Sequence, residues 1–260
     1  MLPTPRTVPY FAVGLASMLA LACAVAAVPP PVPPLDPPPS RDTPGVVYPS
    51  DVRDFVKLIF VHGVPYDGAV RFGPAATPAL LAILADPAQE AAWSNTVVTL
   101  GMIGDPNAVN PLIQFISQGD GQLGRASYNA RTSAIMALGY AANRDPTSPA
   151  LAYLIASTGS AFWQERVRWQ SPLTQDPVAG RLALAEIGVL GLALSGQPPA
   201  ADALRKVIAT SQESKATAEQ QRLGLVAQHA LAEHAKIAAM GLASYYAPRP
   251  RARRTPAPAK

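Results

Sequence analysis

With 260 residues, 49% of them hydrophobic, the chain can bury a sizeable core without a metal, and its single cysteine excludes a disulfide framework. Its 29 prolines stand well above the usual share of about 5% but cluster toward the two ends, which excludes a uniformly disordered chain and leaves a folded middle. The net charge of +4 belongs to the ends: with Arg6, Asp36 and the tail cations Arg249, Arg251, Arg253, Arg254 and Lys260 set apart, residues 41–247 are near neutral, which argues against a nucleic-acid-binding body.

The first predicted element is an export leader, residues 1–28. Residues 10–28 carry no charged side chain and are rich in Ala and Leu, long enough to span a bilayer if uncut. Cys23 follows Leu19-Ala20-Leu21-Ala22, a run that resembles the lipobox of bacterial lipoproteins, in which the cysteine becomes the lipid-modified first residue. Ala20 stands where a typical lipobox has Leu, and Ala24-Val25-Ala26 offers an ordinary cleavage site. Lipidation at Cys23, cleavage to a soluble form and an uncleaved anchor therefore all stay open. Each places the body outside the cytoplasm, in a bacterial cell envelope, facing the periplasm or carried as an outer-membrane lipoprotein.

A Pro-rich linker follows over residues 29–49. Eight of the eleven residues 29–39 are proline and donate no backbone hydrogen bond, which predicts a polyproline II strut of about 3.1 Å per residue, roughly 34 Å in all.

The body, residues 50–246, repeats one phrase. Val97-Val98-Thr99-Leu100-Gly101-Met102-Ile103 returns as Ile135-Met136-Ala137-Leu138-Gly139-Tyr140-Ala141, as Ile187-Gly188-Val189-Leu190-Gly191-Leu192-Ala193 and as Ile237-Ala238-Ala239-Met240-Gly241-Leu242-Ala243. A degraded fifth copy ends at Gly63-Val64. From Gly63 the glycines are spaced 38, 38, 52 and 50 residues apart, which suggests one unit with insertions in its later copies. Apolar residues recur at helical period, with no sustained strand alternation. Each phrase is expected to end a helix, its glycine allowing close approach or a turn. Asp105-Pro106, Asp145-Pro146 and Thr77-Pro78 predict the capped starts of second helices. Such pairs cannot close a core alone and must stack.

The run from Leu100 to Ile113, Leu-Gly-Met-Ile-Gly-Asp-Pro-Asn-Ala-Val-Asn-Pro-Leu-Ile, resembles the HEAT-like repeats also found in phycobilisome lyases, and Arg131 to Gly139 resembles their first-helix segment. The resemblance implies an all-α, right-handed α-solenoid of about five helix pairs that binds proteins. It also raises a lyase or chaperone-like alternative.

Sites for chemistry are sparse. Gly119-Asp120-Gly121-Gln122-Leu123-Gly124 matches the dinucleotide-binding glycine pattern but follows a helix, so a flexible inter-repeat loop is expected. His229 and His234 are five apart, the wrong spacing for two ligands on one helical face, and with His62 they read as surface or groove residues. No metal, cofactor or catalytic set is expected. Phe162, Trp163, Arg166, Arg168 and Trp169 stand together in the first insertion. They are the preferred contact site, as an interface anchor, beside the reading in which both indoles fold back to plug the gap between repeats. The second insertion, residues 211–222, reads as a lengthened, solvated helix. The tail, residues 247–260, is basic and proline-punctuated and predicts a disordered end; Arg249, Arg251, Arg253 and Arg254 suit an anionic surface or polymer. The expected function is an exported scaffold for an unidentified protein partner, with an adaptor acting through its tail as the alternative.

Overall fold

The computed structural model describes residues 48–247, so Cys23, the proline strut and the tail arginines lie outside the described residues. The body is predominantly α-helical. Among the described residues there are eleven α-helices: α1 (Val52–Phe55), α2 (Tyr66–Val70), α3 (Thr77–Ala85), α4 (Trp93–Ile103), α5 (Pro106–Ser117), α6 (Arg125–Arg144), α7 (Pro149–Ala156), α8 (Ser160–Arg166), α9 (Pro177–Ser195), α10 (Pro198–Ser211) and α11 (Ala218–Tyr246). Two three-residue strands, β1 (Asp120–Gln122) and β2 (Arg168–Gln170), complete it.

Helix boundaries follow local chemistry. Asp105 caps α5 by accepting from the Asn107 amide at 3.0 Å, and Gly104, at φ 70°, ends α4 in the left-handed conformation just before it. At Asp145-Pro146 the expected cap moves. Asp145 accepts from the Thr147 amide at 2.9 Å within the turn after α6, and α7 starts instead at Ser148-Pro149, where the Ser148 hydroxyl accepts from the Ala150 amide at 3.2 Å. Thr77 does not cap α3 either. It is the helix's first residue, and its buried hydroxyl has no hydrogen-bond partner.

The phrase-bearing helices α4, α6, α9 and α11 form one row, each packed against the next, while α3, α5, α7 and α10 form a second row behind it. The glycines bring the first row together. A Cβ at Gly101 would stand 2.7 Å from Cβ of Ala137, one at Gly139 would overlap the carbonyl oxygen of Gly191, and one at Gly191 would stand 3.2 Å from the Ile135 carbonyl oxygen of α6 and 2.8 Å from Leu154 Cδ2 of α7 in the second row. Helix α9 is apolar and long enough to cross a membrane by length and composition, with a mean hydropathy of 1.6. It lies between α6 and α11 and buries ten residues there, so core packing accounts for its composition. Arg131 of α6 is also buried; its Nε donates to the Gln118 carbonyl at 3.0 Å, closing the end of α5, and its guanidinium lies over the Phe115 ring at 4.9 Å. Burial holds the Arg131 pKa below the usual guanidinium range, with Glu90 pulling it back up.

Gly63 and Gly241 depart from the pattern. Gly63 (φ 85°) lies in an irregular segment between α1 and α2, so the fifth copy of the phrase is not a helix. Gly241 (φ 74°, ψ 160°) meets no neighbour within 4 Å and breaks α11 instead of packing it. Beyond the break the chain hooks back. Tyr245 donates to Glu233 Oε2 at 2.8 Å, the hydroxyls of Tyr246 and Tyr140 lie 2.7 Å apart, and the Tyr246 ring stacks on Tyr66 of α2 at 5.7 Å. The second insertion also differs from a lengthened helix. Residues 212–217 form an exposed turn, and Thr217 with Gln220 builds a reciprocal capping box that opens α11.

Candidate functional site

The first insertion builds a small module on the second row. Alternation along β2 turns Trp169 inward and leaves Arg168 and Gln170 exposed, while α8 turns Trp163 inward from the other side. Trp163 is 0% exposed and Trp169 5%, which removes both from the anticipated contact surface. The Trp163 indole Nε1–H donates to the Ser157 carbonyl at 2.9 Å, with Phe162 and Tyr153 edge-on to its ring at 5.2 and 6.2 Å. Trp169 Nε1–H donates to the Ile116 carbonyl at 2.8 Å and meets Tyr128 edge-on at 6.1 Å. Both indoles thus fill gaps between helices, held because a buried indole N–H needs an acceptor and finds a carbonyl near the end of α5 or α7. Phe162 is half-buried beneath Arg166, whose guanidinium lies 5.1 Å over its ring.

The glycine-rich segment 119–124 is likewise not a free loop. Its β1 pairs in parallel with β2, Gly121 opposite Trp169, and the exposed Arg168 Nε meets Asp120 Oδ1 at 2.9 Å across the ladder. An ion pair in this setting contributes about 0–1 kcal/mol, so the pairing rests mainly on the ladder and the buried tryptophan.

Two concavities flank the module. One, of about 160 Å³, lies between β2 and the start of α9 and is lined by Gln164, Arg168, Gln170, Thr174, Asp176 and Arg181 among others. Its donors are amides and guanidinium groups, suited to polar contacts. The other, about 400 Å³, lies between the α7–α8 corner and the α10–α11 pair. Ile155, Val207 and Leu223 give it an apolar floor, with Lys206, Thr210 and Glu219 at the rim. Sequence reasoning missed this groove because its two walls are separated by some forty residues and share no motif.

Groups with displaced ionisation lie in the core beside these concavities. Burial pushes the hydroxyl of Tyr153, which has no hydrogen-bond partner, up to about 12, with the Arg166 charge pulling it back. Tyr128 is raised by burial and drawn back by Ser171. Among the described residues no cluster of three His, Cys, Asp or Glu side chains could hold a metal. His62 and His229 are exposed as expected, but His234 is buried, its Nε2 2.9 Å from the Gln197 carbonyl at the start of α10. A carbonyl only accepts, so Nε2 carries the proton there.

Compared with family models, with curated proteins and with solved structures, the chain matches none.

Proposed function

We propose that this chain is a right-handed α-solenoid of HEAT-like helix pairs, exported and tethered through its N-terminus to the bacterial cell envelope, where it binds a protein partner and catalyses no reaction. The observation that carries the reading is the row α4–α6–α9–α11. Four copies of one sequence phrase, the first and last glycines 140 residues apart, lie on the four helices of one row, and the glycines of the first three stand at close helix contacts. Stacked units of this kind create extended surfaces, and binding across such a surface is their general use. With both tryptophans in the core, the partner contact moves to the groove between the α7–α8 corner and the α10–α11 pair, where an apolar floor meets a charged rim.

A photo-crosslinking residue placed at Lys206 or Thr210 of the full chain tests this in cells. The expected result is one heterologous protein adduct, recovered from the membrane fraction, from both groove positions and not from exposed Gln228. Absence of groove adducts, or the same adducts from Gln228, overturns the reading. An adduct that persists after a bulky groove substitution but disappears with the tail arginines favours the tail-mediated adaptor instead.

A further inference from the structure

Helix α11 bends at a single residue. Gly241, at φ 74° and ψ 160°, lies in a region of backbone space open essentially to glycine alone, while the residues on both sides of it are helical. The local sequence favours a straight course instead, since Ala238, Ala239, Met240, Leu242 and Ala243 are all good helix formers. Nothing packs against the glycine to force the break, because a Cβ there would meet no atom within 4 Å. What holds the bend is the docking of residues 242–246 beyond it.

That docking is small and separable. Leu242 is buried, Tyr245 donates to Glu233 Oε2, the Tyr246 hydroxyl meets that of Tyr140, and the Tyr246 ring lies nearly parallel to Tyr66, at 13°. The receiving groups sit on α2, α6 and α11 ahead of the bend, so the seat persists when the hook leaves it. On a straight α11, residues 233 and 245 would stand roughly 18 Å apart along the axis at about 1.5 Å per residue, and both tyrosines would be carried out of the site.

Opening therefore uncovers two complementary surfaces at once: Leu242, Tyr245 and Tyr246 at a helix end, and an aromatic seat between Tyr66 and Tyr140. The occupant that fits the seat is the same segment of a second copy, because every contact of the closed form can be remade between chains with only the hinge changed. Exchange of an identical element is a low-cost route to a dimer. The straightened hinge also regains helical hydrogen bonds, and the two passing helices would cover Ala238, Ala239 and Met240, which are exposed in the single chain, Met240 at 48%.

We infer that residues 242–246 form an exchangeable hook, docked on its own chain at low concentration and on a second copy at high concentration, where it builds a two-fold symmetric dimer.

The test mixes full-length chains grown on ordinary and heavy-nitrogen medium, concentrates them, and couples neighbouring tyrosines by brief photo-oxidation with a ruthenium sensitiser and persulfate. Mass spectrometry then reads the dityrosine link between the peptide bearing Tyr246 and the one bearing Tyr140 or Tyr66. A hook docked on its own chain joins two peptides of the same isotope. An exchanged hook also joins light to heavy, the mixed and unmixed links reaching equal amounts once exchange is complete. Mixed links are expected in the dimer seen by light scattering, and they should be absent when the mixture is diluted to monomer before coupling. Gly241→Ala meets no neighbour but cannot hold the bend without strain, so it should raise the dimer fraction several-fold at equal concentration, whereas Tyr246→Ala should return the chain to monomer. A dimer with unmixed links alone would assign association to another surface, as would a Tyr246→Ala variant that dimerises like the wild type. A wild-type chain that stays monomeric at every concentration, or mixed links confined to Gly241→Ala, would show that the native hook does not exchange. Each of these results overturns the proposal, and the wild-type arm decides it without any variant.

Discussion

Gly139 shows how much one hydrogen atom in place of a methyl group does in this protein. Its backbone is helical, so alanine would be welcome there by propensity, yet the Cβ would overlap the Gly191 carbonyl and stand 2.9 Å from Leu194 Cβ. Backbone cannot swing aside as a flexible side chain can. Gly139→Ala must therefore separate α6 from α9, and the expected cost is about 1–3 kcal/mol or more. Gly159 is the fitting comparison, because it is extended at φ −126° and nothing lies within 4 Å of a Cβ there. Gly159→Ala should leave the melting temperature almost unchanged. Gly121, also open in space, is a poorer control, since its φ of 70° strains any side chain. Equal thermal shifts for the alanine variants at 139 and 159 would contradict the close packing of the row.

At the scale of the element, the two Pro-preceding residues Asp105 and Thr77 look alike in sequence and behave differently in the fold. Asp105, 6% exposed, holds both the Asn107 amide and the Asn107 side chain at 3.0 Å, so Asp105→Ala unpairs an N-terminal donor of α5 and should cost about 1 kcal/mol, up to 2. Thr77 is already inside α3 with an unpaired hydroxyl, so the near-isosteric Thr77→Val removes a desolvated polar group and should be neutral or stabilising. Chemical denaturation of the two variants checks the contrast, and a loss at Thr77→Val as large as that at Asp105→Ala would refute the assignment of the caps. The strands make a related point. Three-residue elements such as β1 and β2 hold no period long enough to read; they pair because Trp169 must be covered and Ile116 offers its carbonyl.

Across the whole molecule, the hook at Gly241 brings the end of α11 against Tyr66 of α2 and Tyr140 of α6. Tyr140 of α6 is raised well above the usual phenol range by burial, with further contributions from Tyr246, Tyr245 and Tyr66. Tyr246 is raised too, chiefly by burial, while its hydrogen bond with Tyr140 pulls the other way. For an acid whose native pKa is raised, the folded chain keeps protons that the unfolded chain releases near pH 10, so stability is intact below that pH and declines as the pH climbs above it. Spectrophotometric titration of the native chain should therefore place several of its tyrosines above 10, with Tyr153 at about 12, and denaturant should return them all to about 10. Tyr246→Ala should release the hook, lower the melting temperature and speed hydrogen exchange in residues 242–246. Titration of every tyrosine near 10 in the native chain would mean that the hook does not close.

The helical class and the row of repeated helices were legible in the chain itself, because a phrase recurring at fixed spacing needs only local propensity and an apolar stripe to define its helix, and stacking is the sole way for such units to bury that stripe. Asp105 as a cap and the glycines at 101, 139 and 191 as packing positions belong to the same order of information. The fates of Trp163, Trp169, Thr77, Asp145 and Gly241 do not. Whether an indole covers a partner or a gap depends on which carbonyl lies unpaired beneath it, and whether a glycine packs or breaks a helix depends on what stands opposite. The groove between the α7–α8 corner and the α10–α11 pair and the burial of His234 are likewise products of contacts between segments distant in sequence, which no local period encodes.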